Sequence, residues 1–269
     1  MISFPNIKIN LGLRITSKRA DGYHNIESCF YPVPWCDALE ITEANEFSFE
    51  SSGLSIPGKS SSNLVVKAYE QLKKDFDLPP IKVHLLKSIP MGAGLGGGSA
   101  DGAFMLKLLN EKFKLGLTDK QLESHALRLG SDCPFFIKNQ PVIAKGRGEI
   151  FEAINLNLDG KYVVLINPDL HIGTKEAYEG VIPKPSEADL KEILESTSIA
   201  EWKDSVKNDF EKSAFKLHPS LKNLKEELYH QGAHYASMSG SGSTMYGIFS
   251  LDPNLEMLNG YSTSTLLLV

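Results

Sequence analysis

The chain has 269 residues, of which 42% are hydrophobic and 23% are charged, and its formal net charge is −5. This length can bury the core of one large domain or two, and the composition is that of an ordinary globular protein. The acidic balance argues against a nucleic-acid partner, because such proteins concentrate Lys and Arg. We find no apolar run of membrane-spanning length and no signal peptide, so we expect no membrane partner. The cysteines are three in number and lack zinc-type spacing, which favours a reducing compartment, the cytoplasm.

The first predicted element is a strand over residues 4–13, in which apolar residues occupy alternate positions. Lys8 and Asn10 therefore share the other face of this strand. A polar pair at such positions is either a solvated sheet surface or part of a functional site. The segment Arg19 to His24 follows, and its Asp-Gly turn signal comes directly before an aromatic residue and a histidine.

Residues 53–60 match the phosphate-loop pattern G-x-x-x-x-G-K-[ST] literally. However, Pro57 supplies no N–H to a nest that needs consecutive donors. The next helix is predicted to begin at Asn63, a good N-cap, rather than at Lys59. We therefore interpret this stretch as a surface loop, and a true phosphate loop is the alternative.

A glycine-rich stretch, residues 90–100, forms what we call the glycine loop. It follows an alternating strand at residues 81–87 and precedes apolar residues at helical spacing. Glycine lets the backbone approach a ligand, and the free N–H groups at a helix start favour phosphate. The pattern predicts a polyphosphate cradle. It also contains the dinucleotide fingerprint G-x-G-x-x-G, but some eighty residues of mixed structure precede it, which that fold does not expect.

A candidate general base lies at Asp132. The predicted helix 121–128 ends near Gly130, and Asp132 follows directly. An aspartate before a helix start is commonly only a cap, but phosphoryl transfer to a hydroxyl needs a group that orients the hydroxyl or accepts its proton. The rival is Asp101, whose charge behind the glycine loop would oppose phosphate unless it points away or holds a cation. Cys133 is interpreted as an inert core thiol.

In the C-terminal part we predict a buried strand at residues 161–166 and helices at 188–195 and 220–230. A second loop of small residues, 237–243, leads into a strand at 245–249, and residues 266–269 are read as a final strand. The histidines form no pair of metal-ligand spacing, so we expect no zinc site.

The pattern P-x-G-x-G-L-G-x-x-S/A in the glycine loop resembles the phosphate-binding motif of the GHMP small-molecule kinases. Three further segments resemble that family in the same order: the N-terminal strand with its Arg19–His24 loop, residues 129–136, and residues 238–244, which we call the third-motif loop. The resemblance implies a two-domain α+β GHMP kinase fold. Its N-terminal domain, residues 1–155, would be like ribosomal protein S5 domain 2, and its C-terminal domain, residues 156–269, ferredoxin-like.

The resemblance implies an ATP-dependent kinase that uses Mg²⁺. The Arg19–His24 segment resembles that of family members that phosphorylate a hydroxyl of a cytidine diphosphate-linked polyol in the non-mevalonate route to isoprenoids. A homoserine or mevalonate kinase is the alternative within the family. Outside it, the alternatives are a non-catalytic nucleotide-binding module and a dehydrogenase. The expected assembly is a monomer or homodimer.

The family motifs also assign residues, with the ligands expected in the cleft between the domains. Catalysis falls to Lys8, which orients or polarises the hydroxyl, and to Asp132 as the base. The ATP-binding set is Pro90, Met91, Gly92, Ala93, Gly94, Leu95, Gly96, Gly97, Gly98, Ser99, Ala100 and Asn63, with Ser99 also a metal ligand. The substrate set is Asn10, Tyr23, His24, Phe30 and Tyr178. In the third-motif loop, which is expected to face the glycine loop across the cleft, the set is Gly240, Ser241 and Gly242.

Overall fold

The computed structural model describes residues 1–186, 188–253 and 261–268. The chain divides into two compact units. Unit 1 comprises Met1–Ile7, Trp35–Met91 and Gly96–Gln140, and unit 2 comprises Lys8–Pro34, Gly92–Leu95 and Pro141–Val269. The domain boundary predicted after residue 155 stays a prediction, because compactness alone assigns the first long strands to unit 2.

The strands of the described residues are β1 (Ile2–Ser3), β2 (Asn6–Lys18), β3 (His24–Cys36), β4 (Ala38–Glu43), β5 (Ser48–Gly53), β6 (Ile81–Lys87), β7 (Val142–Gly146), β8 (Ile150–Ala153), β9 (Tyr162–Asn167), β10 (Tyr235–Met238), β11 (Met245–Phe249) and β12 (Ser262–Leu267). The α-helices are α1 (Leu64–Asp75), α2 (Gly97–Lys112), α3 (Asp119–Leu129), α4 (Phe135–Lys138), α5 (Thr174–Glu179), α6 (Leu190–Ser196), α7 (Trp202–Ser205), α8 (Glu211–Leu217) and α9 (Pro219–His230).

Unit 1 contains a four-stranded sheet in the order β1-β4-β6-β5, in which β5 runs parallel to β6. The alternation predicted for residues 81–87 is confirmed, since every second residue of β6 is buried. Helix α1 begins after Asn63, whose side chain accepts a hydrogen bond from the Val65 N–H. Helix α3 begins with a capping box between Thr118 and Gln121.

Unit 2 contains two further four-stranded sheets, ordered β2-β3-β7-β8 and β10-β11-β9-β12. Strand β9 is the predicted continuous apolar strand, and it pairs antiparallel with β11 on one side and β12 on the other. The predicted helices at 188–195 and 220–230 correspond to α6 and α9. The final strand predicted at residues 266–269 overlaps β12 only at Leu266 and Leu267, because β12 begins earlier, at Ser262, and Leu268 lies beyond its end. The last predicted residue, Val269, lies outside the described residues.

The polar face of β2 is buried at Lys8 and Asn10, which excludes a solvated surface at these two positions. Lys8 is 4% exposed and Asn10 is 1% exposed. Within unit 2 the same face continues at Gly12, where a Cβ would lie 3.1 Å from Leu190 and from Val206. A buried amine and a buried amide require polar partners, and both groups have them within unit 2.

The phosphate-loop match at residues 53–60 lies largely exposed between β5 and a 3₁₀ turn, Ser60–Ser62. The first α-helix after it begins only at Leu64, and the prediction of a loop is confirmed. No helix in the described ranges combines the length and the apolar character needed to cross a membrane.

Candidate active site

In unit 2 the buried amine of Lys8 is held by its neighbours on the same sheet. Its Nζ donates a 2.5 Å hydrogen bond to Oδ1 of Asn10 and lies 4.6 Å from the centroid of the Phe30 ring. The Asn10 amide in turn donates to the Ser28 hydroxyl at 2.8 Å. The Tyr246 hydroxyl donates to the Asn10 carbonyl at 2.6 Å. This arrangement fixes a cation in a buried place, where its electrostatic effect on a nearby group is stronger than in water.

The glycine loop has the conformation that its composition predicts. Gly92, Gly94 and Gly96 all have positive φ, and Gly96 is the N-cap of α2. The helix therefore starts inside the loop, at Gly97, and its first N–H groups have no partners within the helix. Such a helix start is suited to bind a phosphate group.

The tip of the glycine loop, Gly92–Leu95, belongs to unit 2, and hydrogen bonds join it to β2 and to the third-motif loop. The main-chain N–H of Lys8 donates to the Leu95 carbonyl at 3.0 Å. The Ser239 hydroxyl donates to the Gly94 carbonyl at 2.8 Å. A Cβ on Gly94 would lie 2.1 Å from the Ser239 carbonyl oxygen, so only glycine fits there. The third-motif loop therefore contacts the glycine loop directly, and no gap separates the two loops at this point.

The third-motif loop is itself fixed. Gly240 and Gly242 have positive φ, and Ser241 between them is half-buried. The Asn208 side chain, 3% exposed, donates hydrogen bonds of 2.8 Å to the carbonyls of Met238 and Gly240. These bonds give the loop one defined shape against the tip of the glycine loop.

In unit 1 a buried ion cluster lies beneath the start of α2. The Lys87 ammonium donates to Asp101 at 2.8 Å and also to Asp37. The other Asp37 oxygen accepts main-chain hydrogen bonds from Ser88 and Ile89, at 2.6 and 2.9 Å. Asp101 is thus occupied by a lysine rather than placed among phosphates. Burial raises the pKa of Asp101 to about 7, Lys87 acts against that rise, and Asp37 adds to it.

Asp132 lies half-buried in the turn that joins α3 to α4, also in unit 1. The turn is closed by hydrogen bonds from Gly130 N–H to the Ala126 carbonyl and from Cys133 N–H to the Gly130 carbonyl, both 3.2 Å. Burial raises the pKa of the neighbouring Cys133 thiol to about 12, and a hydrogen bond with Ser99 opposes this only in part. The thiol is therefore un-ionised at neutral pH, in agreement with its interpretation as an inert core thiol.

Two of the predicted substrate residues of unit 2, His24 and Tyr178, form an aromatic group together with Phe210. The His24 and Tyr178 rings stack with centroids 4.9 Å apart and planes 20° apart. Phe210 meets the Tyr178 ring edge-on at 4.9 Å. Tyr23 is 57% exposed, whereas Phe30 is 1% exposed and has the Lys8 amine on its ring. The structure therefore brings His24 and Tyr178 together, although they are far apart in the sequence.

Asn63 has its side-chain oxygen committed to capping α1, so its role in ATP binding stays a prediction. Sequence reasoning missed Asp37 and Lys87. A signal for Lys87 was present, because it continues the buried alternation of β6, where a charged residue requires a partner.

Comparison with known proteins identifies the family to which the chain belongs. A model of the GHMP kinase N-terminal domain matches residues 63–140, and a model of the GHMP kinase C-terminal region matches residues 189–261. The chain belongs to the GHMP kinase family. The predicted two-domain α+β GHMP kinase fold is confirmed, and the chain is a kinase.

Individual GHMP kinases are similar over nearly the full chain. The 4-diphosphocytidyl-2-C-methyl-D-erythritol kinase of Bacteroides fragilis is 52% identical over 263 residues, which cover 96% of each chain. A solved structure of 4-(cytidine 5'-diphospho)-2C-methyl-D-erythritol kinase has a TM-score of 0.80 at 29% identity, covering 92% of this chain and 90% of that one. The mevalonate kinase of Methanococcus jannaschii has a TM-score of 0.71 at 14% identity, covering 100% and 98%, and it shares the fold.

The resemblance to the family implies that Mg²⁺ accompanies the nucleotide, and the start of α2 offers one oxygen group suited to it. No cluster of three or more His, Cys, Asp or Glu side chains able to hold a metal occurs within the described ranges. Mg²⁺ does not require such a cage, because it is commonly held by one or two protein oxygens together with the phosphates of a nucleotide. The Ser99 hydroxyl, half-buried in the first turn of α2, is an oxygen of the kind that could serve in this way.

Proposed function

We propose that this chain transfers the γ-phosphoryl group of ATP to the 2-hydroxyl of 4-diphosphocytidyl-2-C-methyl-D-erythritol, in the non-mevalonate route to isoprenoid precursors. The observation that carries the proposal is 52% identity over 96% of the chain to a kinase of that name. A homoserine or mevalonate kinase is less well supported, since the mevalonate kinase match has only 14% identity.

The residues would divide the work as follows. The glycine loop and the start of α2 would bind the polyphosphate, and Ser99 would help to hold the Mg²⁺ that neutralises its charge. The 2-hydroxyl oxygen attacks the γ-phosphorus, the bond to the bridging β,γ-oxygen breaks, and ADP leaves. Asp132 accepts the hydroxyl proton and later releases it to solvent. Lys8 orients the hydroxyl and offsets the charge that develops on the transferred group.

The cytidine end would be recognised by the aromatic group of unit 2. Tyr178 offers a ring face for stacking, and His24 has ring nitrogens that can read the base edge. Every residue in this scheme comes from one chain, so a monomer or a homodimer would suffice. We expect the enzyme to act in the cytoplasm, where its three cysteines, all free in the structure, would stay reduced.

A coupled assay for ADP release tests the proposal with three acceptors: the cytidylyl substrate, mevalonate and homoserine. Turnover should be confined to the first. Preference for either other acceptor would replace the substrate assignment and leave the family intact. In the same assay, Asp132→Asn keeps the size of the side chain and removes the basic oxygen, so kcat should fall about 10²–10⁴-fold. Activity within a few-fold of the wild type would exclude Asp132 as the base.

A further inference from the structure

Arg147 lies in the turn between β7 and β8, a position to which the family motifs assign no role. Its guanidinium carbon is 5.1 Å from the centroid of the Tyr23 ring. The turn adjoins the start of β3, because Gly146 pairs with Ile26 in the sheet. The arginine therefore covers one face of Tyr23, an aromatic residue that remains 57% exposed.

The position of the Arg147 side chain is determined locally. Its main-chain N–H donates to Oε2 of Glu149 at 2.5 Å, and its Nε lies 3.5 Å from Oε1 of the same carboxylate. That Nε is buried and has no hydrogen-bond partner. The guanidinium group therefore lies between the carboxylate of Glu149 and the Tyr23 ring, and both attract its charge.

The main chain of Tyr23 is fixed separately by the preceding turn. Asp21 accepts a 3.1 Å hydrogen bond from the Tyr23 N–H and forms an ion pair with Arg19 at 2.9 Å. The Arg19 N–H donates to the Tyr23 carbonyl at 2.8 Å. With its backbone held in this way, Tyr23 retains rotation of its ring, and Arg147 is the group found against that ring.

We propose that Arg147 is a positioning residue for substrate recognition: it holds the Tyr23 ring so that the opposite face is presented to the pyrimidine base. The inference rests on the proposed function and on the predicted place of Tyr23 in the substrate set. A ring has two faces, and a cation on one face leaves the other for stacking. In this role Arg147 contacts no part of the substrate.

The test separates this role from a direct contact with the substrate diphosphate. Affinities for cytidine and for CDP are measured by NMR titration and calorimetry on the wild type, Arg147→Met and Arg147→Lys. Arg147→Met should weaken both ligands by the same factor, about two- to fivefold, the range of an exposed cation–π pair. Arg147→Lys should recover most of that loss. With the cytidylyl substrate, Arg147→Met should raise KM by a similar factor and leave kcat unchanged. Weakening of CDP with cytidine unaffected would overturn the proposal in favour of a phosphate contact.

A double-mutant cycle measured with CDP provides a second test of whether Arg147 acts through Tyr23. In a Tyr23→Leu background, Arg147→Met should have no further effect on CDP affinity, because there is no ring left to position. Additive losses would contradict the positioning role. Lys203→Met is the matched control, since Lys203 lies 4.6 Å from the Tyr229 ring in a pair outside the site, and its removal should leave CDP affinity unchanged.

The same variants distinguish failure of this inference from failure of the proposed function. If the wild type bound neither cytidine nor CDP, the cytidine assignment would fail. The NMR signals of the Tyr23 ring then still decide the positioning role. A shift of those signals in Arg147→Met would support it, and unchanged signals would overturn it.

Discussion

The His24 and Tyr178 rings stack on each other, with centroids 4.9 Å apart and planes 20° apart. At this separation the two rings stack directly on each other, and a third ring does not fit between them. A cytosine recognised here would therefore stack on an outer face of the pair or part the two rings. The pair brings together two residues that are 154 positions apart in the chain.

Tyr178→Ala should raise the KM for the cytidylyl substrate by the equivalent of one stacking contact, about 1–3 kcal/mol or roughly five- to 150-fold. The turnover number at saturating substrate should stay near that of the wild type, because Tyr178 has no part in the phosphoryl transfer. Steady-state kinetics with the substrate varied at saturating ATP measure both quantities.

Tyr178→Phe is the matched control for this variant. It keeps the ring that meets His24 and Phe210 and removes only the hydroxyl. A near-normal KM in Tyr178→Phe together with a raised KM in Tyr178→Ala would assign the effect to stacking. Equal losses in both variants would count against the ring and in favour of the hydroxyl.

Lys8→Met should lower kcat and leave the affinity for ATP almost unchanged. The methionine keeps an apolar stem against Phe30 and removes the amine that lies 4.6 Å from that ring. Loss of one group that stabilises charge in a transition state typically costs about 10²–10³-fold in rate. Kinetics for both substrates and calorimetry with a non-hydrolysable ATP analogue provide the comparison. If only the KM for ATP rose, Lys8 would belong to the nucleotide site instead.

Gly94→Ala should abolish nucleotide binding more effectively than its φ value alone would predict. Gly94 has φ +78, and an added Cβ would lie 2.1 Å from the Ser239 carbonyl. Gly116 is the control, with φ +71 and nothing within 4 Å of its added Cβ. We expect Gly116→Ala to cost about 1–2 kcal/mol of stability and to leave ATP affinity intact.

Calorimetry with the ATP analogue and urea unfolding compare the two alanine variants. Similar behaviour of both would mean that the contact with the third-motif loop does not matter for nucleotide binding. Lys59→Ala belongs in the same experiment, because the lysine of the literal phosphate-loop match is exposed. Its affinity for ATP should equal that of the wild type, and a loss there would reinstate residues 53–60 as a phosphate site.

The part of the site that could be predicted from the sequence is the part built from residues close to one another along the chain. The strand β6, the glycine loop and the start of α2 follow one another within residues 81–112. Each has a local signal: alternation, glycine content and helical spacing. The decoy at residues 53–60 could be excluded for the same reason, since one proline and one N-cap decide it.

The part that could not be predicted depends on residues far apart in the chain. Alternation along β2 predicts one apolar and one polar face, but it cannot say that the polar face is covered. In the structure Tyr246, 236 positions away, donates to the Asn10 carbonyl. The partner of Lys87 was equally hidden, because Asp37 lies 50 positions before it. Patterns of period two assign residues to a face and leave open what that face meets.

Lys87→Met should destabilise the fold more than any of the preceding substitutions, since Lys87 is 1% exposed and holds Asp37 and Asp101. Removing one partner of a buried ion pair leaves uncompensated charge and costs about 3–5 kcal/mol.

Of the two carboxylates, Asp37 retains main-chain donors at Ser88 and Ile89. One oxygen of Asp101 already lacks a hydrogen-bond partner, so the loss of Lys87 destabilises the Asp101 carboxylate more than that of Asp37. Adding Asp101→Asn to Lys87→Met should therefore recover part of the lost free energy of unfolding, although Asp101→Asn alone destabilises the wild type. Urea unfolding of the wild type, both single variants and the double variant measures this coupling. Strict additivity would mean that the two charges do not interact.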